Sequence, residues 1–228
     1  MKTTRFKAPL EEILARAQMT LATIDALAPD WTAPSFPTPA EFQILVDDVQ
    51  TLKTKLQSAL SAAAGTMGGC EVALAQWHET SVLVVTIGRI HFRGTEQSPV
   101  WQRLRATGQG HERILSEGAQ IESAWQSSDT TWVPKPGLTL AAFQAQRAAA
   151  VAAEAACTEC ANAASVARGI LVEGANGLHQ LCVDWYAMAM ASFPANSPQA
   201  STIRSILAPR RSRAKPVEAA APMELAAV

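Results

Sequence analysis

Two thiols three residues apart, Cys157 and Cys160, form the pattern in this chain that most resembles a chemical motif. A C-x-x-C pair serves either as a redox couple or as half of a tetrahedral zinc site. Redox chemistry needs a stabilised thiolate, ordinarily supplied by a helix N-terminus, and zinc needs two further ligands. The other cysteines, Cys70 and Cys182, stand singly. The surrounding "AAAVAAEAACTECANAA" favours helix on both sides, so the pair falls in mid-helix. Its expected role is to supply small apolar side chains to a helix seam.

His78 and His179 are the second candidates. Imidazole is the commonest metal ligand, and two such groups from facing helices could share an ion. Carboxylate-bridged di-iron bundles use Glu-x-x-His, whereas the residues three before these histidines are Ala75 and Asn176. A metal- or small-ligand-binding bundle using His78 and His179 is therefore the alternative reading, not the leading one. Nucleophilic catalysis finds no G-x-S-x-G, and "GTMGGC" lacks the lysine of a phosphate loop. No catalytic residue, cofactor or resident metal is expected. The basic run Arg210, Arg211, Arg213 and Lys215 is the remaining interaction candidate. It could dock an acidic partner, or nucleic acid if any, through charge alone.

Composition says what must hold these residues. The chain has 228 residues, 48% of them hydrophobic but only 6% aromatic. Alanine carries much of that fraction, which suits close helix packing better than a sheet. The formal charge is −1, although residues 204–228 hold five bases against two acids. The start "MKTTRFKAPLEE" lacks the apolar stretch of a secretory signal, and "VLVVTIGRIHF" is too short to span a membrane. Four cysteines in this length do not suggest a disulfide framework. A cytoplasmic, membrane-free protein is the default expectation.

Sliding the chain by 101 residues pairs Trp31 with Trp132, Thr38 with Thr139, Phe42-Gln43 with Phe143-Gln144, and His78 with His179. The spread of matches predicts two tandem repeats, 8–108 and 109–209, inside one helical domain over 1–209. Each repeat reads as a short helix, a Pro-rich crossing and a long helical hairpin. The short helices run from about Pro9 to Leu27 and from His111 to Trp125. The crossings, Pro29–Pro37 and Trp132–Leu138, should be extended because proline removes an amide donor. There the two tryptophans are expected to plug the bundle end.

Thr38-Pro39-Ala40-Glu41 then announces a helix by a capping box, and Thr139 repeats the cap. From Phe42 a heptad seam runs through Leu45, Val49, Leu52, Leu56, Ala59 and Ala63. Its counterpart, Phe143, Gln146, Ala150, Ala153, Cys157, Cys160 and Ala164, is mostly small. These two seams are expected to pack against each other or against a second subunit. Turns are expected near Gly65–Gly69 and Arg168-Gly169. "SVLVVTIGRIHF" would pass alone for a strand, but its match "CVDWYAMAMASF" argues for helix. Residues 210–228 lack a core and read as a disordered tail.

The predicted fold is thus an all-α antiparallel helical bundle. The predicted function is non-enzymatic: protein–protein contact, as a self-associating oligomer, scaffold or structural protein. Such a role would set apolar side chains on an outer face, with Trp77, Trp101 and Trp185 the candidates.

Overall fold

A computed structural model of the chain describes residues 5–28 and 31–207. These residues fold into helices alone, without a strand among them. In chain order they are α1 (Leu10–Leu27), α2 (Pro39–His91), α3 (Ser98–Arg103), α4 (His111–Ser128), α5 (Leu140–Ser192) and α6 (Pro198–Leu207). The segment "SVLVVTIGRIHF" is helical, as its match predicted. The tail expected over 210–228 lies outside the described residues.

One expectation is overturned. The hairpin turns near Gly65–Gly69 and Gly169 are absent, and α2 and α5 each run unbroken for 53 residues. Each predicted repeat span therefore holds one long helix, not a pair. A turn of this kind needs a residue in the left-handed region, whereas the glycines with positive φ are Gly94, Gly108, Gly110 and Gly137. A helical glycine costs only about 1 kcal/mol against alanine, and the flanks offer no proline to stop propagation.

The starts of α2 and α5 follow the cap signals. The Thr38 amide and hydroxyl donate to Glu41 Oε2 at 2.8 and 2.9 Å, and the Glu41 amide returns a bond to Thr38 Oγ1 at 3.3 Å. At α5 the Ala142 amide donates to Thr139 Oγ1 at 3.2 Å. The residue three beyond Thr139 is alanine, so the reciprocal half of the box is missing there.

The chain divides into two compact units, and the division cuts through both long helices. The first unit is built from Asp47–Gly174: most of α2, then α3, α4 and the first part of α5. Within it α2 and α5 run in opposite directions, since Leu52 meets Gly174, Thr66 meets Cys160, and Trp77 meets Phe143. Its core gathers Trp77, Trp101, Trp125, Trp132, Phe92 and Phe143 with aliphatic neighbours. Gly108 and Gly110, with φ of 69° and 82°, let the chain turn into α4 in a conformation other residues avoid.

The second unit combines Phe6–Val46 with the chain from Ala175 on, so it holds α1, the start of α2, the end of α5 and α6. One stripe of α1 is its inner face: Ile13, Leu14, Ala17 and Leu27 are buried. Leu27 shares a core cluster with Trp185, Ala189, Ile203 and Ile206, flanked by Trp31, Phe36 and Phe193.

Candidate functional site

Cys157 and Cys160 lie well inside α5 on the surface facing α2. Thr66 Oγ1 donates to Cys160 Sγ at 3.4 Å, and Cys157 approaches the buried Cys70. Burial, and secondarily the neighbouring Cys157, push the Cys70 thiol above its usual range. That is opposite to the depression a reactive thiol needs. The four cysteines are free thiols, and the pair occupies the seam the heptad spacing assigned to it.

The two histidines have separate surroundings. His78, in the first unit, packs against Gly108, where even a Cβ would stand 2.6 Å from its Nε2. His179, in the second unit, is half-buried with Nδ1 lacking a hydrogen-bond partner. Burial, then the cations Arg16 and Lys7, hold its pKa below the ordinary value, with Glu12 opposing. Among the described residues no three His, Cys, Asp or Glu side chains gather as a metal site would require. Arg210, Arg211, Arg213 and Lys215 lie outside the described residues.

Sequence reasoning missed a polar node on α4. Glu117, only 8% exposed, accepts from the Thr107 amide at 2.7 Å, the Thr107 hydroxyl at 2.9 Å and Arg113 Nε at 3.0 Å. Burial works to raise its pKa, but these three donors outweigh burial and hold it below the usual glutamate value. With its oxygens engaged, the carboxylate fastens the segment before α4 rather than trading protons. A carboxyl whose folded pKa is depressed contributes stability above its unfolded pKa, about 4.3, and loses it as pH falls through the folded value. Urea melts from neutral to acid pH should therefore show an acid loss that is flatter in Glu117→Gln. At neutral pH the same variant should be weaker by about 1–3 kcal/mol, because charge-assisted bonds are lost.

The tryptophans correct another expectation. Trp77, Trp101 and Trp185 are 1%, 0% and 1% exposed, so they belong to the cores and cannot form an outer contact face. The two crossing tryptophans differ from each other. Trp132 is buried among Phe92, Trp101 and Trp125, whereas Trp31 is half-buried and borders a cavity.

Much of the exposed apolar surface lies instead along the first unit's helix pair. Besides its seam, α2 carries a row at seven-residue spacing: Leu60, Met67, Leu74, Ser81 and Gly88. Such spacing keeps residues on one face of a paired helix. Towards the C-terminal end this row is covered, since Leu74 and Ser81 are 2% exposed and Gly88 lies under the Trp101 ring. Leu60 and Met67, both 53% exposed, continue the row without a cover. From Gln50 to Gly69 no residue of α2 is buried, and over 151–170 of α5 only Ala164 is. Val166 and Ile170 add further exposed apolar side chains to this bare stretch. Among the described residues it is a two-helix span with a seam but no second layer.

Among the described residues no helix is long and apolar enough to cross a membrane. No protein-family model matches the chain, and neither the curated proteins nor the solved structures contain a match to it.

Proposed function

We propose that this is a non-enzymatic helical protein that works through protein–protein contact, with a second copy of itself as the first partner. The observation that carries the reading is the uncovered row at Leu60 and Met67, an exposed continuation of a row that the same unit buries at Leu74 and Ser81. A second copy offering the same bare span would give each pair of helices the layer it lacks. Such an interface would be isologous, as in most soluble oligomers.

Magnitudes make the contact sensitive. Fully burying a Leu or Met side chain is worth about 1.5–3 kcal/mol. Both are already about half covered in one copy, so the four across a dimer contribute about 3–6 kcal/mol, near the lower end of the association cost of about 4–15 kcal/mol. Removing them tips the balance. In sedimentation velocity at micromolar concentration the protein should be a dimer, and the double variant Leu60→Lys with Met67→Lys a monomer of unchanged helicity. A monomeric wild-type protein would end the reading.

The finer architecture, two tandem repeats joined as an antiparallel bundle, belongs to the same proposal. Its support lies in the helix bounds: 10 and 111, 27 and 128, 39 and 140, and 91 and 192 each differ by 101. Opposed directions of α2 and α5 within the first unit agree with it.

A further inference from the structure

Among the matched positions at which the two units differ, one leaves a space. In the first unit Trp125, fully buried, stands between Trp132 and Phe143, with ring centroids 5.1 and 5.5 Å away. The residue 101 positions earlier is Ile24, while Trp31 and Phe42 match Trp132 and Phe143. Where the first unit has an indole, the second has a side chain about half its size and a cavity of about 270 Å³. Ile24, Leu27, Trp31, Ala33, Phe36 and Trp185 are among its lining. Trp185 and Phe36, which stand where the first unit has Val84 and Gly137, supply aromatic wall.

We infer that this cavity is a binding site for a small, neutral, fused-ring aromatic molecule of indole's size. Three features select that class. The volume exceeds the roughly 150 Å³ that admits benzene and falls short of the roughly 300 Å³ at which drug-sized pockets begin. Among the described residues the lining contains no ionisable side chain, so a charge carried inside would find no partner among them. Trp31 already meets Trp185 and Phe193 edge to face, at 6.4 and 5.7 Å, and it lines the cavity, while its match Trp132 meets Trp125 edge to face at 5.1 Å. Edge-to-face and offset contacts of this kind are the ones aromatic groups prefer. The walls come from α1, the crossing, the start of α2 and α5, so the site is a recess bounded by several elements rather than a flat docking face.

The test is calorimetric titration of the full-length protein with indole, paired with NMR spectra of its six tryptophan Nε1–H groups. The expected result is saturable one-to-one binding that shifts the Trp31 and Trp185 signals and leaves Trp77, Trp101 and Trp125 in place. Ile24→Trp should fill the cavity as Trp125 fills its counterpart and weaken indole binding at least tenfold. Ala33→Leu should weaken binding comparably and serves where the larger substitution does not fold. Absence of saturable binding to wild type overturns the inference. So does a shift confined to the first unit's tryptophans, or wild-type affinity in a folded Ile24→Trp or Ala33→Leu protein. Self-association through Leu60 and Met67 can fail without touching this result, because the two sites share no residue.

Discussion

Trp125→Ala is expected to destabilise the protein by about 3–5 kcal/mol, the range for deleting a buried large aromatic, measured as a lower urea midpoint with unchanged slope. Against a typical total of about 5–15 kcal/mol, that is enough to leave the chain marginal. The size of the effect follows from the surroundings. Trp125 is 0% exposed and wedged against Trp132 and Phe143, and those rings are themselves held: Trp132 by Phe92 and Trp101, Phe143 by Trp77 at 4.2 Å. Rings locked on several sides cannot slide in to close the void, so the cavity penalty is paid in full. One feature softens the loss. Trp125 Nε1 is buried without a hydrogen-bond partner among the described residues, and removing an unsatisfied donor returns part of its desolvation cost. Trp125→Phe, which keeps most of the ring and drops that donor, should therefore cost far less, about 1 kcal/mol. A full-size loss in the Phe variant would show that the indole nitrogen has a partner after all.

Gly118→Ala should destabilise by about 1–3 kcal/mol although alanine is the better helix former by about 1 kcal/mol. Gly68→Ala should do the reverse and stabilise by about 0.5–1 kcal/mol. The opposite signs come from what a methyl group meets. At Gly118 a Cβ would stand 2.4 Å from Trp77 Cζ2, and that ring is pinned against Phe143. At Gly68 there is nothing within 4 Å. Chemical denaturation of the two single variants checks both signs at once. A stabilised Gly118→Ala would mean that Trp77 has room to retreat.

The same glycines show how far the sequence could be read. Thr38 and Glu41 announced the start of α2 through a local bond pattern, and local patterns survive folding unchanged. The heptad seam was legible for a related reason. Its 3/4 spacing places Leu52 and Cys160 at the meeting of α2 and α5 whatever lies elsewhere. Gly65, Gly68 and Gly69 misled because glycine permits a turn without demanding one. What decides is whether the chain must reverse there, and that is a tertiary fact. The row at Leu60, Met67 and Leu74 was present as a seven-residue spacing. It went unseen because one seam had already accounted for the helix, although burial of only part of a row depends on where α4 happens to sit. The mismatch of Ile24 with Trp125 was likewise visible in the 101-residue offset, but its meaning needed the cavity beside Trp31. Nothing in residue type foretold that Trp77, Trp101 and Trp185 would be interior. A tryptophan suits a core and an interface equally well.

The way each core draws on the chain has a consequence for descent and for dissection. Trp77 and Trp101 come from before the 108/109 boundary, while Trp125, Trp132 and Phe143 come from after it, yet they form one cluster. The other cluster likewise takes Leu27 from the early half and Trp185 and Ile203 from the late one. Neither half of the polypeptide therefore owns a finished interior. On the proposed tandem repeat, an ancestor of half this length would have exposed its rings to water until it met a twin, and fusion of the two copies would have made that partnership permanent.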